Sequence, residues 1–195
     1  MRILLFFVLV ALMSQQNSHA QVVNLVVEQV ENAGRVPGKT YRLYAVMTKS
    51  TDKVLVVYGD SISPLFIRSS KPFFQAPMGG ATAQDSNRKM RAESDSLRHD
   101  SWVTIGGEDN YECKVNLLNV DLSGFEKGQS IEIAKDGAWF TIPTDRLAEA
   151  GDDRKVLLGQ FTTKGNLEGQ LSIMSKDAAG KSHKQTGLTF NLGKK

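Results

Sequence analysis

From residue 21 onward the chain is built from short runs that alternate apolar and polar residues, each closed by glycine, asparagine, aspartate or proline. A period of two puts successive side chains on opposite faces of an extended backbone, so such runs bury one face only by pairing into sheets. In "TYRLYAVMT", Tyr41, Leu43, Ala45 and Met47 share one face, and Arg42, Tyr44, Val46 and Thr48 share the other. "KSTD" then reads as a hairpin turn into "KVLVVYG", a β-branched run that suits a strand covered on both faces.

The remaining strand candidates are "QVVNLVVEQV", "PLFIRS", "SWVTIG", "YECKVNLL", "SIEIAK", "AWFTI", "KVLLGQFTT", "LEGQLSIMS" and "GLTFNL". "GGEDN", "GFEKGQ", "KDG", "GDDR", "KGN" and "KDAAGK" separate them with the residues tight turns need. Parallel α/β architecture is disfavoured, because its long helical crossovers are missing. The spacing predicts an all-β fold: an antiparallel β-sandwich of about ten strands with one long irregular loop and at most a short helix. Thr144 in "PTDRLAEAGDD" is the expected N-cap of that single helical turn, with Gly151 ending it. The long loop is Phe73 to His99, aromatic at its start, then glycine-rich, then charged. Connections of this length in compact domains are functional or disordered.

The first twenty residues read differently. Arg2, an apolar run from Ile3 to Met13, a polar stretch and then Ser18-His19-Ala20 form the pattern of a secretory signal cleaved after Ala20. The apolar run is shorter than the ~20 residues a helix needs to cross a bilayer. Residues 21–195 are then expected to form one β-sandwich domain, secreted or periplasmic, with no transmembrane segment after processing. Removing Arg2 lowers the formal charge from +3 to +2, which is too balanced to argue for nucleic acid. The single cysteine, Cys113, excludes an intramolecular disulfide. It reads either as a small buried apolar group or as a reactive or intermolecular thiol.

His99, Asp100 and Ser101 are the residue types of a hydrolase triad, written side by side. On a strand, His99 and Ser101 would share a face at roughly 7 Å and Asp100 would take the other, whereas a triad needs contacts of about 3 Å. The glycines of a nucleophile elbow are also missing. Zinc spacings are excluded by one cysteine and two mature histidines, His99 and His183, the latter in "GKSHKQTG", which reads as a turn. Glu108, Asp109 and Asn110, and separately Asp152 and Asp153, offer oxygens to calcium or simply form solvated turns. No cofactor is expected, calcium being the one open possibility. Trp102, Trp139, Tyr41, Tyr44, Tyr58, Tyr111, Phe73 and Phe74 would suit a sugar-stacking platform or a core. Phe73 and Phe74, at the loop entrance, either bind or plug the end of the sandwich.

The ordered string "TYRLYAVM…KVLVVYGD…PLFI…FFQAPMGGATAQDSN…HDSWVTIG", followed by "GAWFTIPTD" and "RKVLLGQFTTKGNLEGQLSI", resembles a domain of secreted proteins from marine Bacteroidetes and Planctomycetes. The resemblance runs from Lys39 to about Phe190, and the domain recurs there in repeats or attached to larger surface proteins. It implies an extracytoplasmic β domain without an established activity. Its motif residues fall here on Asp60, Gln75, Gly79, Gly80, Asn87 and Asp100 to Gly106. These residues either fasten the long loop to the sandwich or line a binding site.

The ligand-binding candidates are therefore Asp60, Phe73, Phe74, Gln75, Asn87, Asp100 and Trp102, with no catalytic residue and no metal ligand assigned. The expected function is a non-enzymatic structural or adhesive module whose partner is a glycan or a cell-surface protein. The competing expectation is a secreted hydrolase or lyase acting on polysaccharide with acids from Asp60, Asp100, Glu108 and Asp109, which would have to face one another about 5 to 10 Å apart.

Overall fold

The computed structural model describes residues 22–112 and 114–193. The segment expected to be a secretory signal and Cys113 lie outside the described residues. Among the described residues, eleven strands form two antiparallel sheets, with two short α-helices, in the sandwich-like all-β arrangement the alternation predicts. The first sheet runs β1 (Val22–Val30), β2 (Lys39–Met47), β9 (Lys155–Thr163), β5 (Trp102–Val103). On β2, Leu43, Ala45 and Met47 are buried, as their shared face requires.

The second sheet is organised around β10 (Leu167–Lys176). One edge of β10 pairs along its length with β11 (Ser182–Asn191). The other edge is shared end to end by β4 (Leu65–Ser69) and β3 (Lys53–Gly59). Outside them, β7 (Ile131–Ile133) pairs with β4, β8 (Gly137–Phe140) with β3, and β6 (Asn116–Leu118) with β8. The inner faces of both sheets meet in one core containing Leu43, Val57, Ile67, Trp102, Trp139, Phe161, Leu171 and Ile173.

Three local expectations are corrected. "SWVTIG" contracts to the two residues of β5, and the backbone beyond bends away, with Gly106 at φ +80°. Thr104 and Gly106 still donate to Leu158 and Leu157 across the edge of β9. The helical turn capped by Thr144 does not form, and Asp145 takes over: its Oδ1 accepts from Leu147 N, and its Oδ2 from the Thr141 hydroxyl. The following backbone pairs with the start of β3 through Val54 N to Ala148 O and Ala150 N to Asp52 O. Tertiary pairing thus overrides the local helical pattern. The segment "GKSHKQTG", expected as a turn, mostly belongs to β11, where His183 Nε2 lies 3.0 Å from Asp177 Oδ2.

The long connection is ordered and packed. It contains a 3-10 turn at Ala83–Asp85, α1 (Arg88–Glu93) and α2 (Asp95–Arg98), so helix forms inside the loop. Asn87 caps α1 by accepting from Lys89 N and Met90 N. The outer edge of β9 is occupied in succession by this segment and by β5: Phe73 bridges Thr163, Phe74 N donates to Thr162 O, and Trp102 faces Gln160. β5 is covered in turn, with Thr82 bridging Val103 in parallel register and Val103 N donating to Ala81 O. The strap satisfies a sheet edge that would otherwise present unpaired backbone groups.

Candidate functional site

Asp100 fastens the strap. Its carboxyl is fully buried, and Oδ1 accepts from Ala76 N at 2.7 Å and from Ser101 N at 2.9 Å. Oδ2 faces the Gly79-Gly80 backbone without forming a hydrogen bond of ordinary geometry. Burial pushes the pKa up to about 7, against the opposing pull of the Ala76, Ser101 and Gly80 amides and of the Arg91 charge. A carboxyl that ionises only near neutrality thus sits where the loop folds back.

Its neighbours point elsewhere, although not by strand alternation: His99 is the C-cap of α2 (φ −109°, ψ 17°) and β5 begins only at Trp102. Ser101 Oγ accepts from Thr162 N at 2.9 Å. His99 Nδ1 lies 3.3 Å from Thr40 Oγ1, and that hydroxyl lies 2.8 Å from Thr162 Oγ1. The proton directions can be traced. Thr162 Oγ1 donates to His99 O at 2.6 Å, so it accepts from Thr40, whose only hydroxyl proton is then spent. Thr40 Oγ1 therefore accepts from His99 Nδ1–H. Gln160 completes this polar seam, donating to the carbonyls of Arg98 and Asp100 at 2.9 and 2.8 Å. None of the hydrogen bonds joins the His99, Asp100 and Ser101 side chains to one another.

The predicted site residues do not converge. Phe73 is buried and packs edge-on to Phe125 at 5.4 Å and tilted to Phe161 at 5.8 Å. This is the plug, and burial of the ring removes it from ligand stacking. Trp102 is fully buried with the Arg91 guanidinium 5.4 Å above its ring, so it too belongs to the interior. Asp100 is enclosed as described. Phe74 and Gln75 are half-buried, and Gln75 Nε2 donates to Phe125 O. Asn87 is exposed but spent as a cap. Asp60 terminates a turn on the second sheet, accepting from Ile62 N and Ser63 N. Of the motif residues, Gln75 and Asp100 tie the long loop to its surroundings, Asn87 caps a helix within it, and Asp60 closes a turn elsewhere.

The acids behave similarly. Glu108 holds Arg42 through both oxygens and Arg91 through one. Asp109 accepts from Tyr111 N, Glu112 N and Arg88. Burial raises its pKa, but Arg88 and the two amides outweigh burial and leave it below the usual value. Among the described residues no group of three histidine or acidic side chains is arranged to hold a metal.

A different set of residues surrounds an open cavity of about 320 Å³ between the β1–β2 connection and α2. Its walls are Val30 to Ala33, Arg35, Arg42, Arg98, His99 and Gln160. Asn32 orders the connection by donating to Gly38 O and accepting from Gly34 N. His99 is 3 % exposed, with Nδ1 on Thr40 and no protein partner for Nε2 among the described residues. Burial, then the Arg98 charge, with Arg35 and Arg91, lower its pKa over the opposing effect of Asp95. Sequence reasoning missed this cavity because its residues come from four separate segments with no shared motif.

No family model, curated protein or solved structure matches the chain. The site is therefore read from its own chemistry.

Proposed function

We propose that the processed chain is a secreted, non-enzymatic β-sandwich module with a structural or adhesive role, binding glycan or another surface protein. The observation that carries this reading is the state of the polar groups that chemistry would need. Asp100 and Ser101 spend their side chains on the strap and the polar seam, and Asp60, Glu108 and Asp109 spend theirs on turns and arginines; His99 commits Nδ1 to Thr40 and keeps Nε2 free, but among the described residues no hydroxyl or carboxylate pairs with that nitrogen. A general acid or base needs a free lone pair or proton within reach of substrate. These carboxylates face amides and guanidinium groups in separate places. The interior they help to close is that of a rigid module, and such scaffolds commonly present ligands to a surface or loop region.

The reading is tested by a glycan array together with a pull-down from the native cell surface, using the secreted form that begins at Gln21. Saturable binding in either supports it. A clean negative in both removes the adhesive part, and turnover of a polysaccharide by the purified protein overturns the non-enzymatic part.

A further inference from the structure

The cavity beside His99 carries more guanidinium than carboxylate. Asp95 Oδ1 is shared by Arg35 and Arg98, each at 3.1 Å, and Glu108 is shared by Arg42 and Arg91. With Glu31 included, four guanidinium groups stand against three carboxylates, and Glu31 already accepts from Ala33 N. Arg42 is consumed, with Nε on Gln160 and both Nη on Glu108. Arg35 and Arg98 are not. Arg35 uses only Nη1, and Arg98 uses Nη1 and Nη2, so the remaining donors have no protein partner among the described residues.

Guanidinium donors arranged as a fork, in a partly enclosed space with surplus positive charge, suit a planar or tetrahedral oxyanion. We propose that this cavity receives the carboxylate or sulfate group of an acidic saccharide, held by Arg35 and Arg98 over His99. The proposal rests on the glycan-binding reading above and names its ligand class. Val30 and Ala33 are the only apolar residues in the wall, and Asn32, Glu31 and Gln160 make up the polar remainder. Such a lining suits hydroxyl groups better than it suits an apolar side chain.

His99 adds a titratable nitrogen. Because Thr40 requires Nδ1–H, the neutral ring of His99, which lines the cavity, keeps a bare lone pair on Nε2. An oxyanion there favours protonation of Nε2, which then donates. The charged groups facing His99 are Glu31 and Arg35 from the β1–β2 connection, Arg42 from β2, Arg91 from α1, and Asp95 and Arg98 from α2. Histidine is the side chain among them whose ordinary charge change falls between pH 5 and 8. Burial and Arg98 lower the pKa of His99 in the free protein and a bound oxyanion raises it, so binding tightens as pH falls from the pKa of the bound ring toward that of the free ring.

The experiment is calorimetric titration at pH 7.5 and 5.5 of the wild-type protein and of R35Q/R98Q. The ligands are a galacturonate oligosaccharide, a sulfated galactan oligosaccharide, their neutral galactose counterpart, free sulfate and a pentaglutamate peptide, and the His99 ring is followed by NMR. Both arginine side chains are about half exposed, so the variant should fold, and its melting temperature checks this. The expected result is binding of one of the acidic saccharides, at least fivefold tighter at pH 5.5. The variant should lose tenfold or more in affinity, and the neutral sugar should not bind. The titrations with uronate and sulfate decide which oxyanion is bound. Equal affinity for the neutral sugar, for free sulfate or for pentaglutamate, or an unchanged variant, overturns the proposal. Failure of every acidic saccharide does so as well. If neutral glycans bind and R35Q/R98Q binds them equally, the adhesive reading stands and this site falls. If neither glycans nor surface proteins bind, both fall.

Discussion

Gly79 lies so close to Asp100 that a Cβ built on it would sit 1.7 Å from Oδ2. The obstructing group is a buried carboxyl anchored by two amides, which has no room to swing away. Gly79→Ala is expected to destabilise the protein by about 1–3 kcal/mol, the usual cost of forcing atoms into a packed interior. Chemical denaturation measures it. Gly34→Ala is the control: φ is +73° with nothing within 4 Å, so only left-handed backbone strain of about 1 kcal/mol should appear.

The Asp100 carboxyl gives stability a definite pH dependence. Its pKa is raised from 3.8 to about 7 on folding, so between those values the folded chain holds more proton than the unfolded chain. Its contribution is greatest below about pH 4, falls as pH rises to about 7, and is level above. The full span is on the order of 4 kcal/mol. Asp100→Asn keeps an oxygen for Ala76 N and Ser101 N and cannot ionise. Its stability relative to wild type should therefore rise with pH over this range, leaving the variant the more stable at pH 8. A difference that does not vary with pH would show that Asp100 titrates normally.

The polar seam is expected to act as a unit. Thr162→Val removes the donor to His99 O and the acceptor for Thr40, leaving buried partners unmatched at a cost of about 1–3 kcal/mol. Thr40→Val should cost a similar amount, and the double variant should cost less than the sum. Additive losses in a double-mutant cycle would mean that the two hydroxyls are not coupled.

The calcium possibility raised by Glu108, Asp109 and Asn110 has a direct check. Glu108 is committed to Arg42 and Arg91, and Asp109 to Arg88 and two amides. Calcium or chelator should therefore leave the melting temperature unchanged, and a rise with calcium would reveal a ligand set this packing does not suggest.

The strands were legible because alternation is a local property: β2, β3, β9 and β10 follow "YRLYAVM", "VLVVY", "KVLLGQFTT" and "LEGQLSIMS" closely. The separation of the His99, Asp100 and Ser101 side chains was expected from strand alternation, but it arises differently, with His99 ending α2 and β5 beginning only at Trp102. What could not be read was the strap. Its short helices depend on Asn87 and Ser94 as caps and on Leu97 finding the interior. The cavity arginines were equally hidden: Arg35, Arg42 and Arg98 approach one another only after β1, β2 and α2 are placed. The same placement turned Phe73, Asp100 and Trp102 from candidate binders into interior groups.

Residues 73 to 99 are a closed part of the fold, tied to the first sheet by Asp100 and by the edge of β9. Hydrogen exchange of individual amides tests it most directly. The N–H groups of Phe74, Ala76 and Val103 should be protected nearly as strongly as those of β9, and Asp100→Ala should lower protection at Ala76 most. Exchange of these amides at the rate of an unstructured loop, in the wild-type protein at neutral pH, would contradict the account.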